Sequence, residues 1–182
     1  MGIQIVGNKN NVSAGVSSAG KLETESITLS SASYINLNFE RSYTIVNTLT
    51  PQPSADFFYI KNEEDYPLVL VSTQVWCASD EKITFWRNPT GNPTGGSEIS
   101  PANCYFGSNV KPTGFFYVGE NIDGLSDGEK RNIIRLKGGV QTSYEFLDWT
   151  ILPKNATFKA KAETGGSELD IWFQLFYAIG IS

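Results

Sequence analysis

Apolar and polar side chains alternate with a period of two along much of the chain, the spacing of strands that bury one face and solvate the other. Residues 34–39 place Ile35, Leu37 and Phe39 on one side and Tyr34, Asn36 and Asn38 on the other, which predicts a half-buried strand. Strands are also predicted at residues 43–46 and 57–60, parted by Pro51-Gln52-Pro53-Ser54, whose prolines cannot donate to a ladder and so mark a loop. In residues 68–76, Val69, Val71, Thr73 and Val75 share a face. Residues 83–87 are expected to pair with that run as a hairpin through the polar turn Ala78-Ser79-Asp80-Glu81.

Between Asn88 and Gly128 the strand signal weakens, and residues 88–96 are almost pure turn chemistry, so this stretch reads as loop-rich. Alternation returns at residues 144–151 and 157–163, where Phe158, Ala160 and Ala162 point in and Lys159, Lys161 and Glu163 point out. In the last strand Leu169, Ile171, Phe173, Leu175, Tyr177, Ile179 and Ile181 form one apolar face, while the other carries Trp172 and Phe176 beside Asp170 and Gln174. A strand apolar on both faces needs cover on both. Either it is a central strand under loops, or Trp172 or Phe176 sits against another subunit. Short strands without a fixed repeat or a helix beyond a couple of turns indicate a sandwich or barrel.

Residues 1–21 are rich in Gly, Asn, Ser and Ala and offer few anchors for a core. They are read either as a frayed terminus or as an arm that orders on a neighbouring subunit. The 182 residues suffice for one domain with a real core. At 40% hydrophobic, 13% aromatic and only 18% charged, the chain is too apolar for disorder and poor in charge for an isolated monomer, which points to surface covered by a partner. Its net charge of -5, with basic residues interleaved among acids, argues against nucleic acid as a partner. Residues 2–7 lack the basic and long apolar segments of an export signal, no apolar run reaches the length of a membrane span, and the sequons at Asn11 and Asn155 lack a secretory context.

The absence of histidine removes Ser-His-Asp and Cys-His nucleophiles and ordinary zinc sites. Cys77 and Cys104 have no Cys-x-x-Cys spacing and read as structural thiols rather than a disulfide framework, consistent with synthesis in the cytosol. No phosphate-binding or nucleophile-elbow motif occurs. A carboxylate pair for glycoside hydrolysis stays open, since its separation is a property of the fold. Residues 120–129 combine oxygen ligands with glycines but do not follow the EF-hand order, so an acidic surface turn is the first reading and a cation site the second. Tyr105, Phe106, Phe115, Phe116 and Tyr117 either stack on sugar rings or pack a core.

With these residues laid out, the chain resembles tailed-phage virion proteins of jelly-roll type, found as head decoration or cement proteins and in head fibres. The likeness is carried by Gly20-Lys21-Leu22-Glu23-Thr24 after the Gly/Asn/Ser-rich start, Phe58-Tyr59-Ile60-Lys61-Asn62, Asn103-Cys104-Tyr105-Phe106-Gly107-Ser108-Asn109, and Ile151-Leu152-Pro153-Lys154-Asn155 before two final strands. The resemblance implies an all-β, antiparallel jelly-roll sandwich of about eight strands. An extended arm at 1–21 would precede a single domain at 22–182. It further implies a homotrimer made in the host bacterial cytoplasm and placed in the virion, with the major capsid protein or other virion proteins as partners and no nucleic acid or membrane. Oligomer or capsid contacts are expected at Lys9, Asn11, Val12, Leu22, Trp172 and Phe176. No catalytic residue, metal or cofactor is implied. The alternatives are a fibre or receptor-binding domain gripping host glycans through residues 88–128, and a carboxylate-based glycosidase.

Overall fold

A computed structural model describes residues 31–179 and the short pairs Gly15–Val16 (β1) and Leu22–Glu23 (β2); the side chains of β1, β2 and residues 147–149 lie outside that description. The chain divides into two units, 1–30 and 31–182. In the first, β1 pairs antiparallel with β2. The second opens with helix α1 (Ser31–Phe39) and continues with β3 (Ser42–Leu49), β4 (Ala55–Asn62), β5 (Leu68–Cys77) and β6 (Glu81–Arg87). Then come β7 (Gly91–Thr94), β8 (Ser97–Glu98), β9 (Ala102–Asn103), β10 (Gly114–Leu125), β11 (Glu129–Leu136), β12 (Thr142–Leu152), β13 (Thr157–Ala162) and β14 (Leu169–Tyr177).

Two antiparallel sheets pack as a sandwich. One runs β12-β5-β14-β3-β9; the other runs β11-β6-β13-β4-β10-β7, with β8 also on β10. The chain changes sheet between β3, β4, β5 and β6 and again between β11, β12, β13 and β14, which is the jelly-roll order. Besides β1 and β2, the strands beyond the expected eight come from the insertion between β6 and β11. Its β10, twelve residues long, is the longest strand, although residues 88–128 read as loops.

The core is an aromatic stack shared by both sheets. Phe58 lies face to face with Phe173 at 4.1 Å, and Phe85 and Phe158 from the same sheet as Phe58 meet Phe146 from the other. These side chains are almost fully buried. Stacked and edge-on ring pairs add about 0.5–1.5 kcal/mol each beyond the area they bury.

Three sequence expectations are corrected. Residues 34–39 form α1, not a strand. Over so short a run the alternation of Ile35, Leu37 and Phe39 competes with a helical spacing in which Ala32 and Ile35 share a side, and tertiary cover decides. Ile35 packs with Val69 and Phe176 on the outside of the five-stranded sheet, while Leu37 is left 61% exposed. Glu40 ends the helix at φ 54, its N–H donating to the Asn36 carbonyl.

The expected hairpin between residues 68–76 and 83–87 does not form, because β5 and β6 belong to different sheets. Their connection is a corner held by the neighbouring crossing: the Gly138 N–H and Lys137 Nζ donate to the Asp80 carboxylate, and the Gly139 N–H donates to the Cys77 carbonyl. A short polar turn serves a hairpin and a sheet crossing equally. Finally, Val69, Val71, Thr73 and Val75 do not share a face. Both neighbours of β5 shift register around Val71, so Val69 and Val71 turn toward α1 while Thr73 and Val75 are buried.

Candidate functional site

The outer face of the seven-stranded sheet carries a cleft of about 440 Å³. Its floor is two cross-strand pairs, Tyr59 opposite Tyr117 and Lys61 opposite Phe115, on the same face of β4 and β10. Tyr59 and Tyr117 meet edge-on at 6.3 Å, and Lys61 Nζ sits 5.4 Å from the Phe115 ring centre while pairing with Glu63 at 3.0 Å. A strap of residues 88–93 forms the wall, and Asn155 and Thr157 close one end.

The strap is fixed by its own backbone. β7 pairs with β10, the Asn88 N–H donates to the Thr157 carbonyl, the Thr157 hydroxyl donates to the Pro89 carbonyl, and the Ser126 N–H donates to the Thr90 carbonyl. Gly91 is obligatory here: at φ 110, a Cβ would stand 2.0 Å from the Gly124 carbonyl oxygen. Tyr59 is only 2% exposed, and burial raises its pKa, helped by Tyr117 and Glu63. Among the described residues its hydroxyl and the side-chain amides of Asn88, Asn92 and Asn155 have no hydrogen-bond partner.

Beside the cleft lies a buried ion cluster. Lys159, expected to face solvent, does lie on the outer face but is 1% exposed. Its Nζ donates to Asp56 at 2.8 Å and to Asp127 at 3.1 Å and sits 5.9 Å from the Trp86 ring centre. A bulge makes this possible. Phe57 is the unpaired residue between Phe58 and Asp56 in the β4–β13 register, so Phe57 enters the core and Asp56 turns outward opposite Lys161. Burial raises the Asp56 pKa against the lowering effect of Lys159, whereas the hydrogen bond from Lys159 lowers that of Asp127. Two carboxyls pushed apart in this way can mark a general acid and base. Here both accept from one ammonium and neither lines the cleft, so the arrangement acts as a clamp that pins the turn of Asp127 onto the sheet.

The five-stranded sheet presents a second surface. A groove of about 370 Å³ is lined by Val46, Gln74, Trp76, Gln141, Asp170 and Trp172 among others, with Val46 70% exposed and Trp76 and Trp172 half-buried. Register explains the grouping. Val46, Trp172 and Gln74 lie side by side across β3, β14 and β5, and Asp170 and Trp76 form the next row.

No family model, curated protein or solved structure matches this chain.

Of the residues expected at an interface, Trp172 lies in this groove. Phe176 is 2% exposed and packs with Ile35 of α1 and with Val69, so α1 supplies cover on the second side of this apolar strand. Leu22 lies in β2 opposite Val16, while Lys9, Asn11, Val12 and the rest of the 1–21 arm apart from Gly15–Val16 lie outside the described residues, as does Ile181. Of residues 120–129, Asp127 pairs with Lys159 and Glu129 with Arg87, and no cluster suited to a metal ion occurs among the described residues. Cys77 and Cys104 are free thiols. Sequence reasoning singled out Phe115 and Tyr117 but missed Tyr59, Lys159 and Asp56. The signal available was a single acid, Asp56, in the apolar strand β4, and a lysine, Lys159, flanked by Phe158 and Ala160 in β13.

Proposed function

We propose that this chain is a non-catalytic structural subunit of a tailed-phage particle, a head decoration or cement protein that associates with copies of itself and with the capsid shell. The observation that carries this reading is the part of the outer face of the five-stranded sheet beyond the α1 contact, where Val46 stands 70% exposed beside the half-buried Trp76 and Trp172. Single exposed apolar residues are ordinary, but a valine and two tryptophans in two adjacent rows of one sheet face make a patch of the kind that partners cover. Tryptophan is enriched among the residues that dominate binding energy. The jelly-roll strand order suits the same role, as does the scarcity of charge.

Particles depleted of the protein provide the test. Wild-type chain added back should saturate them, and a variant carrying Val46→Asp and Trp172→Glu should melt near the wild-type temperature yet fail to bind. Equal binding by the two proteins would refute the role given to this face.

A further inference from the structure

We infer that the cleft between β10 and the 88–93 strap binds a saccharide, one or two uncharged pyranose rings, by stacking on Phe115 and Tyr117 and hydrogen bonding to Asn88, Asn92 and Asn155. A pyranose has two kinds of surface, a C–H face that packs on an aromatic ring and a rim of hydroxyls that both donate and accept. The cleft offers the complement of each.

Its floor is aromatic, with Phe115 37% exposed and Tyr117 half-buried at adjacent outward positions of β10. Its rim carries three side-chain amides, each with donors and an acceptor, none with a hydrogen-bond partner among the described residues. The hydroxyl of Tyr59, at 2% exposure of the residue, is a further polar group without a partner among the described residues. The hydroxyl oxygen itself reaches solvent, so a ligand hydroxyl can take the place of water there.

The site is built in advance. Asn88 and Asn155 sit at φ 52 and φ 66, left-handed corners that asparagine tolerates, and their N–H groups donate to the Thr157 and Asn62 carbonyls. A main chain already fixed at these corners removes the backbone share of the ordering cost on binding. A volume of about 440 Å³ lies at the small end of ligand cavities, which run to about 1,000 Å³. Charge narrows the class. Lys61 is the one lysine or arginine in the lining, no aspartate or glutamate joins it, and Glu63 already neutralises it, so the cleft has no excess charge with which to select an anionic sugar.

The test is an array of neutral mono- and oligosaccharides and bacterial surface polysaccharides probed with the full chain, followed by titration calorimetry on whatever binds. Neutral glycans should bind, and Phe115→Ala and Asn92→Ala, both at exposed positions, should each weaken binding about tenfold with melting unchanged. Because Val46 lies on the other sheet, Val46→Asp should leave sugar binding intact whatever it does to particle attachment. An array silent throughout, or a hit that neither cleft variant weakens, overturns the inference.

Discussion

Replacing Lys159 by methionine keeps most of the side-chain volume and removes only the charge. Its ammonium is 1% exposed and is the hydrogen-bonding partner of Asp56, whose side chain is 9% exposed. Asp56 Oδ1 already lacks a hydrogen-bond partner, so the substitution leaves the carboxylate with neither of its oxygens satisfied by a side chain. Removing one member of a buried ion pair costs about 3–5 kcal/mol, which for a chain of this size lowers the melting temperature by about 6–20 °C.

Asp127 is the contrasting partner. Its side chain is 57% exposed, so Asp127→Asn should cost less than about 1 kcal/mol. The pH dependence identifies the cause. In the wild type, burial holds the Asp56 pKa above its unfolded value even with Lys159 present, and removing Lys159 raises it further. A carboxyl whose pKa is raised on folding favours the folded state below its unfolded pKa, and that advantage is lost as pH rises through the folded value. The gap in stability between wild type and Lys159→Met should therefore be widest at neutral pH and narrow on acidification toward the ordinary carboxylate range. Thermal melts followed by tryptophan fluorescence at several pH values measure it. A gap that stays constant with pH would show that the loss comes from packing of the lysine stem and would refute the charge argument. Adding Asp56→Asn to Lys159→Met should recover most of the loss.

Two further outcomes follow from other buried groups. Glu81, 6% exposed, accepts from the N–H groups of Lys82, Thr164 and Gly165, so Glu81→Ala should destabilise by about 2–4 kcal/mol in urea unfolding while Glu81→Gln loses less. Burial raises the pKa of both thiols, Cys77 being 1% exposed and Cys104 half-buried, so neither should react quickly with a thiol reagent in the native state at pH 8. Both should react once urea unfolds the chain, and a rapid native reaction would contradict the burial of these side chains.

Period-two alternation located β3, β4, β5, β12, β13 and β14, because each has a face in the shared core and the pattern is local. It did not distinguish a strand from a helix over residues 34–39, where the two periods overlap and the packing of Ile35 on Val69 and Phe176 decides. Nor did it show that residues 78–80 cross between sheets, since that depends on Asp80 meeting Gly138, a contact between distant parts of the chain. The candidate cleft was half legible. Phe115 and Tyr117 stood out as aromatics in a loop-rich stretch, but Tyr59 read as core, and only the pairing of β10 with β4 brings the three together. Lys159 was placed on the correct face and given the wrong exposure, because the turn carrying Asp127 folds back over that face. Alternation specifies which way a side chain points; what covers it is set by residues far away in sequence.

The most direct measurement of the proposed role is whether purified tailed-phage virions produced in cells that express this chain contain it, and at what position and copy number, by electron microscopy. A head decoration protein should appear as oligomers at fixed, symmetry-related sites on the outside of the head, with the outer face of the five-stranded sheet around Val46 and Trp172 covered by a neighbouring copy or by the shell. Its absence from particles, or its presence as isolated monomers with that face open to solvent, would contradict the account.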